Sequence, residues 1–162
     1  MDALFRLIQK YRDVGLLIDT NVLLLLCIGL TDLKLIGSHK KLNQFTTEDF
    51  HLLVAFTNQF SRITTTPNIL TEVSNLAGLH GGPDRDRIFE FLAQYVTTLD
   101  EQYVGAASTV SVAAFTRLGL TDVGIGQAAQ DRYLVLTADL ILISHLTSLG
   151  IDCINFNHLK PL

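Results

Sequence analysis

The sequence predicts a three-layer α/β/α sandwich around a mostly parallel central sheet, folded as one domain over residues 1–162. Three observations carry that expectation. Short apolar or β-branched runs alternate with longer helical stretches, the pattern of strand–helix–strand units. The first run, Leu16 to Ile18, stops at Asp19-Thr20-Asn21, residue types that cap helices, and an all-apolar helix follows to about Gly29. Hydrophobic residues make up 48% and charged residues 17% of the chain, which excludes disorder and suits a sheet buried on both faces.

Residues 1 to 13 form a short amphipathic helix, with Leu4, Phe5, Leu7, Ile8 and Tyr11 beside Arg6, Lys10 and Arg12. After the strand at Leu16 and the apolar helix, Thr31 to Asn43 is polar and basic and reads as loop. A helix from about Glu48 to Phe60 carries Phe50, Leu53, Val54 and Phe56, and Arg62 to Thr66 is a β-branched strand. Thr66-Pro67 is an N-cap followed by a first-turn proline, opening a helix that Gly78 ends. Gly81-Gly82-Pro83 makes a turn before a helix near Asp86 to Tyr95, and a further helix covers Glu101 to Leu118, closed by Gly119. Thr121 or Asp122 caps the next helix, whose first turns are weakened by Gly124 and Gly126. Tyr133 to Leu136 is a strand, Asp139 to Leu149 a helix, and Ile151 to Phe156 the last strand.

Sixteen acids against twelve bases leave a net charge of −4, which argues against broad polybasic binding of nucleic acid. Any nucleic acid is met locally or through a cation. Cys27 and Cys153 lie far apart without metal-type spacing, so a reduced, cytoplasmic protein is the plain reading. The apolar run Val22 to Leu30 falls well short of the ~20 residues of a membrane helix. It is preceded by Asp19, Thr20 and Asn21 and followed by no convincing cleavage site, so no membrane is expected.

Four acids stand apart from the turn and surface carboxylates. Asp19 and Asp139 each follow a strand, and ligands of open α/β sheets bind outside the carboxyl ends of the strands. Glu72 falls at the border of the apolar face made by Ile69, Leu70, Val73, Leu76 and Ala77. Asp122 opens a late helix. Each has an ordinary reading, as a helix cap or a solvated side chain. As a set around one sheet edge they would raise one another's pKa unless a cation lay between them. An oxygen-only group suits Mg²⁺ or Mn²⁺ over Zn²⁺.

The segments LLIDTNVLLLL, TTPNILTEVSNL, GLTDVGIGQAA and LVLTADLILISHLTSLGI resemble, in order and spacing, the acidic motifs of PIN-domain nucleases. The likeness runs from about Leu16 to Phe156. It matches Asp19 with Asn21, Glu72 five residues after Pro67, Asp122, and Thr137 with Asp139 to the family pattern. One feature departs: many members carry a further acid soon after Thr-x-Asp, where this chain has Leu140, Ile141 and Leu142.

The resemblance implies a PIN-like nuclease domain, metal-dependent hydrolysis of RNA phosphodiester bonds, and Mg²⁺ or Mn²⁺ as cofactor. Asp19 and Asp139 are the expected direct ligands. Asp122 and Glu72 complete or flank the site, and Asn21 and Thr137 support it by hydrogen bonding. Many small members are VapC-type toxins of toxin–antitoxin pairs and commonly dimeric, which makes a homodimer and an antitoxin protein the expected partners besides RNA. Lys34, Lys40, Lys41, Arg62, Arg85 and Arg87 are candidate phosphate contacts, each equally readable as solvated surface. The five histidines show no metal or triad spacing and read as surface or satisfied residues. The aromatic-bearing helices at Glu48 to Phe60 and Arg87 to Tyr95 fit either an interface or the core.

Two other classes compete. A phosphotransfer domain also places Asp at strand ends, but Asp19-Thr20-Asn21 lacks a second Asp, and no lysine ends a late strand before Lys160. The stronger rival is a catalytically inactive PIN-like module that acts through protein or RNA contacts, since a fold does not by itself prove activity.

Overall fold

The computed structural model describes residues 3–160, so the first two residues of the expected N-terminal helix lie outside the described residues. The sheet is five-stranded and wholly parallel: β1 (Leu16–Ile18), β2 (Ile63–Thr65), β3 (Asp100–Glu101), β4 (Leu134–Thr137) and β5 (Cys153–Asn155) in the order β3-β2-β1-β4-β5. Among the described residues eight α-helices flank it: α1 (Ala3–Tyr11), α2 (Thr20–Thr31), α3 (Thr47–Thr57), α4 (Pro67–Ala77), α5 (Gly82–Tyr95), α6 (Ala106–Val110), α7 (Phe115–Ala129) and α8 (Leu140–Ser148). This is the α/β/α sandwich the sequence predicts. Among the described residues no helix is long and apolar enough to cross a membrane.

The strands are short because both faces are covered. Every residue of β1 and β4 is buried, so neither strand shows the polar–apolar alternation of a half-exposed sheet. The chain steps from β1 to β2 to β3 in one direction, then returns across β1 to β4 and steps to β5 in the other. Right-handed crossovers accordingly put α2–α5 on one face and α7 and α8 on the other. The reversal falls between β1 and β4, and there the carboxyl ends of adjacent strands diverge into opposite layers.

The apolar run Val22 to Gly29 is wholly buried in α2, at the centre of its layer. Gly29 is required there by close packing: a Cβ would stand 2.2 Å from Cδ2 of Phe50 on α3. Thr66 caps α4 through a 3.2 Å bond from the Ile69 N–H, with Pro67 at its first turn and Gly78 at its end, as the sequence predicts. At the amino edge of the sheet, Lys10 Nζ and Tyr11 Oη both donate to Asp152 at 2.8 Å, tying α1 beside β5.

One segment differs from the sequence expectation, and the structure adds detail to two others. Residues 31 to 43 are a loop, as expected, in which Lys34, Lys40 and Lys41 are exposed while Leu35, Ile36, His39 and Leu42 are buried and anchor it to the core. The helix expected over Glu101 to Leu118 is replaced by β3, the short α6 and a single turn. Backbone pairing of Thr64 with Asp100 and Thr65 with Glu101 outweighs a weak helical pattern. Gly119 interrupts the helical path as expected, with φ 81° and ψ −178°. The aromatics of α3 belong to the core rather than an interface, since Phe50, Phe56 and the following Phe60 are all buried.

Candidate carboxylate site

Asp19 leaves β1 with only 6% of its surface exposed, at the reversal point of the sheet. Its backbone N–H donates to the Leu136 carbonyl of β4 at 3.0 Å, which continues the β1–β4 pairing one residue beyond the strand. The carboxylate is its own helix cap, Oδ1 accepting the Thr20 N–H at 2.6 Å. Oδ2 accepts the Thr137 hydroxyl at 2.7 Å. Burial pushes the Asp19 carboxyl up from its ordinary range; the Thr137 and Thr20 hydrogen bonds pull it back, and the charges of Asp139 and Glu72 push it up again.

Asp139 caps α8 in the same manner. Its Oδ1 accepts the N–H groups of Ile141 and Leu142 at 2.7 and 3.1 Å, while its own N–H donates to the Thr137 hydroxyl at 3.0 Å. Thr137 therefore bridges two acids with one oxygen. Asp139 itself is exposed. Leu140 and Ile141, which stand where the resemblance expects a further acid, are 68% and 59% exposed beside it.

Glu72 projects from α4, exposed along its length but bound at its tip. Thr20 Oγ1 donates to Oε2 at 3.0 Å, and Thr121 Oγ1 donates to Oε1. Thr121 thus spends its hydroxyl across the layers on Glu72 instead of capping its own helix, and neither it nor Asp122 makes the cap expected from sequence. Asp122, on the next residue of α7, is half-buried, and its carboxyl is pushed up to about 7, first by burial and then by the charges of Asp19, Asp139 and Glu72.

The four acids predicted from sequence are therefore electrostatically coupled at one end of the sheet. Thr137 supports two of them as expected. The Asn21 side chain makes no hydrogen bond to another described residue, and it is the hydroxyl of the neighbouring Thr20 that reaches Glu72. Thr20 and Thr121 are the residues that sequence reasoning missed. Their only signal was adjacency to Asp19 and Asp122.

The site's charge is unrelieved within the chain. Among the described residues no three carboxylate, imidazole or thiol groups are drawn together closely enough to grip an ion. Each is engaged by hydrogen bonds, Glu72 on two threonines and Asp19 and Asp139 on their own caps. Two of the cations weighed as phosphate contacts, Arg87 and Arg62, lie elsewhere. Arg87 binds Asp32 and Asp84 at 3.1 Å. Asp32 follows the last turn of the twelve-residue α2, so it sits about 18 Å from Asp19 at the other end. Arg62 precedes β2 at the amino edge, where its carbonyl accepts the Leu16 N–H at 3.1 Å.

No family model matches this chain, and no curated protein matches its sequence.

Proposed function

We propose that this protein is a metal-dependent endoribonuclease that hydrolyses RNA phosphodiester bonds at Asp19, Glu72, Asp122 and Asp139. The observation that carries the reading is the convergence of these acids at the sheet's reversal point, where burial first, and then the charges of Asp19, Asp139 and Glu72, raise the Asp122 carboxyl to about 7. Like charges held in that state are what a hard divalent cation relieves, and the donor set is all oxygen, so Mg²⁺ or Mn²⁺ fits its chemistry. When bound, such an ion stabilises charge on a scissile phosphate and lowers the pKa of a water.

The chain's own residues do the rest. Asp19 and Asp139 offer the ligand oxygens, with the Oδ2 atom of Asp139 accepting no bond from another described residue. Asp122 can hold or release a proton near neutral pH at its carboxyl. Thr20 and Thr121 aim Glu72, and Thr137 fixes Asp19 against Asp139. A net charge of −4 agrees with a substrate approached through a cation rather than a basic surface. The resemblance to small PIN-domain proteins extends the proposal to a cytoplasmic, dimeric toxin held by an antitoxin.

A second reading, an inactive module of the same fold, is favoured by one observation: no three acids grip an ion as they stand among the described residues. Cleavage of an RNA panel that includes tRNA, with Mn²⁺ or Mg²⁺, separates the two. Under the nuclease reading cutting occurs and is lost with EDTA and in Asp139→Asn. Absence of both cutting and any thermal response to metal would establish the inactive module instead.

A further inference from the structure

From Gln102 to Ile151 the acidic and basic residues, histidine aside, are Arg117, Asp122, Asp131, Arg132 and Asp139. Asp122 and Asp139 belong to the carboxylate site. Asp131 and Arg132 lie in the turn before β4, at the amino end of the sheet. There the Arg132 guanidinium covers the Tyr133 ring and donates to Gln102 Oε1 at 3.4 Å. Arg117 is therefore the one Lys or Arg that the α7–α8 layer brings to the carboxyl end, where the acids converge. It is not among the cations that sequence reasoning offers as phosphate contacts.

Arg117 occupies the turn at the head of α7, set off by Gly119, whose φ of 81° interrupts the helix before Thr121 and Asp122. Four residues of chain separate Arg117 from Thr121, a reach of at most about 14 Å, and the Thr121 hydroxyl donates to Glu72. On its other side the Arg117 charge acts on His145 of α8, six residues and about 9 Å along the helix from Asp139. Arg117 thus stands beside the acids without joining them, since the charges that act on Asp122 are those of Asp19, Asp139 and Glu72. Its side chain is exposed and makes no hydrogen bond, ion pair or ring contact with another described residue. Nor does α8 carry an acid, so an anion lying along it beyond Asp139 meets no like charge there.

We propose that Arg117 binds an RNA phosphate neighbouring the scissile one, and so directs the strand from the four acids across the α7–α8 layer. The proposal rests on the nuclease reading. A guanidinium matches phosphate oxygens two at a time and is always charged. Phosphate contacts fix a strand's position without reading its sequence. Arg117 is accordingly a positioning residue, acting on how RNA is held and not on the bond that breaks.

Total tRNA and a mixed-sequence single-stranded RNA are the probes, cut in Mn²⁺ by wild type, Arg117→Gln and Arg117→Lys over a series of KCl concentrations. Arg117→Gln is expected to raise KM about tenfold while kcat stays within about twofold of wild type. The slope of log kcat/KM against log salt should shrink by about 0.7, the share of one phosphate contact on a single strand. Arg117→Lys keeps the charge and should keep the wild-type slope. Melting in EDTA reads the fold and should be unchanged in both variants. A wild type that cuts while Arg117→Gln keeps its KM and slope overturns the inference and leaves the nuclease reading standing. A loss confined to kcat does the same. Should wild type cut neither probe, the nuclease reading falls, and anisotropy of the labelled single-stranded RNA with metal-free protein decides on Arg117. Binding weakened about fivefold or more in Arg117→Gln would support the contact, and equal binding would overturn it.

Discussion

Thr137 Oγ1 lies between two acids, donating to Asp19 Oδ2 at 2.7 Å and accepting the Asp139 N–H at 3.0 Å. One hydroxyl thus links the ends of adjacent parallel strands and sets the relation of the two helices that begin there. Removing it leaves the buried Asp19 with the Thr20 N–H as its remaining hydrogen bond. Thr137→Val is expected to destabilise the protein by about 1–3 kcal/mol, the range for losing a hydrogen bond to a buried charged group. Thr137→Ser, which keeps the hydroxyl, should retain most of the wild-type stability. Urea midpoints at constant slope measure both, and an unchanged midpoint in the valine variant would refute the role.

Asp122 gives the site a signed pH dependence. Its folded pKa of about 7 lies above the ordinary 3.8, so from about pH 4 to 7 the folded state binds more protons than the unfolded state. Stability contributed by this group is present at low pH and is lost as pH rises through that window. Solvent around the half-buried group screens the effect to about 1–2 kcal/mol. Asp122→Asn should therefore be more stable than wild type at pH 8 in EDTA, and equal to it near pH 4. Denaturation across that range checks the sign. A variant less stable at pH 8 would contradict it.

Asp139 has a structural task separable from its charge. Asn retains an oxygen for the Ile141 and Leu142 N–H groups, so Asp139→Asn should cost a few tenths of a kcal/mol, whereas Asp139→Ala should cost about 1 kcal/mol. If the site holds a cation, both variants lose cleavage alike despite their different stabilities. Calorimetric melting in EDTA, paired with RNA cleavage in Mn²⁺, distinguishes cap from charge.

Metal addition tests the site without a substrate. A ligand that binds only the folded state raises the melting temperature, so Mn²⁺ should stabilise wild type more than Asp19→Asn. Equal shifts in the two proteins would place the ion elsewhere.

Gly29 reports on packing far from the acids. The Phe50 ring occupies the space of its missing side chain, with Cδ2 2.2 Å from where a Cβ would stand. Gly29→Ala should therefore destabilise by about 1–3 kcal/mol, overriding alanine's better helix propensity. Phe50→Leu combined with it should recover part of that loss. Additive losses in the double variant would mean that the two residues do not compete for one space.

Local chemistry written into consecutive residues was readable in the chain. Asp19 after LLI and Asp139 after LVLT-Ala138 are strand-end caps whose carboxylates accept the first N–H groups of the next helix, and Thr66-Pro67 fixes the start of α4. Segments whose structure depends on distant partners were not readable. Residues 100 and 101 become a strand only because β2 offers an open edge, and the mostly exposed stretch after Thr31 is anchored by a few buried side chains set far apart.

The sequence by itself determined the parallel α/β class and the four acids at element starts or borders, since periodicity and capping are properties of neighbouring residues. Only the tertiary structure decided that β1 lies beside β4 and that Glu72 is held by Thr20 and Thr121. Those relations join residues 49 to 118 positions apart, or depend on which helices meet. They arise from crossover handedness and packing between layers, which no local pattern encodes.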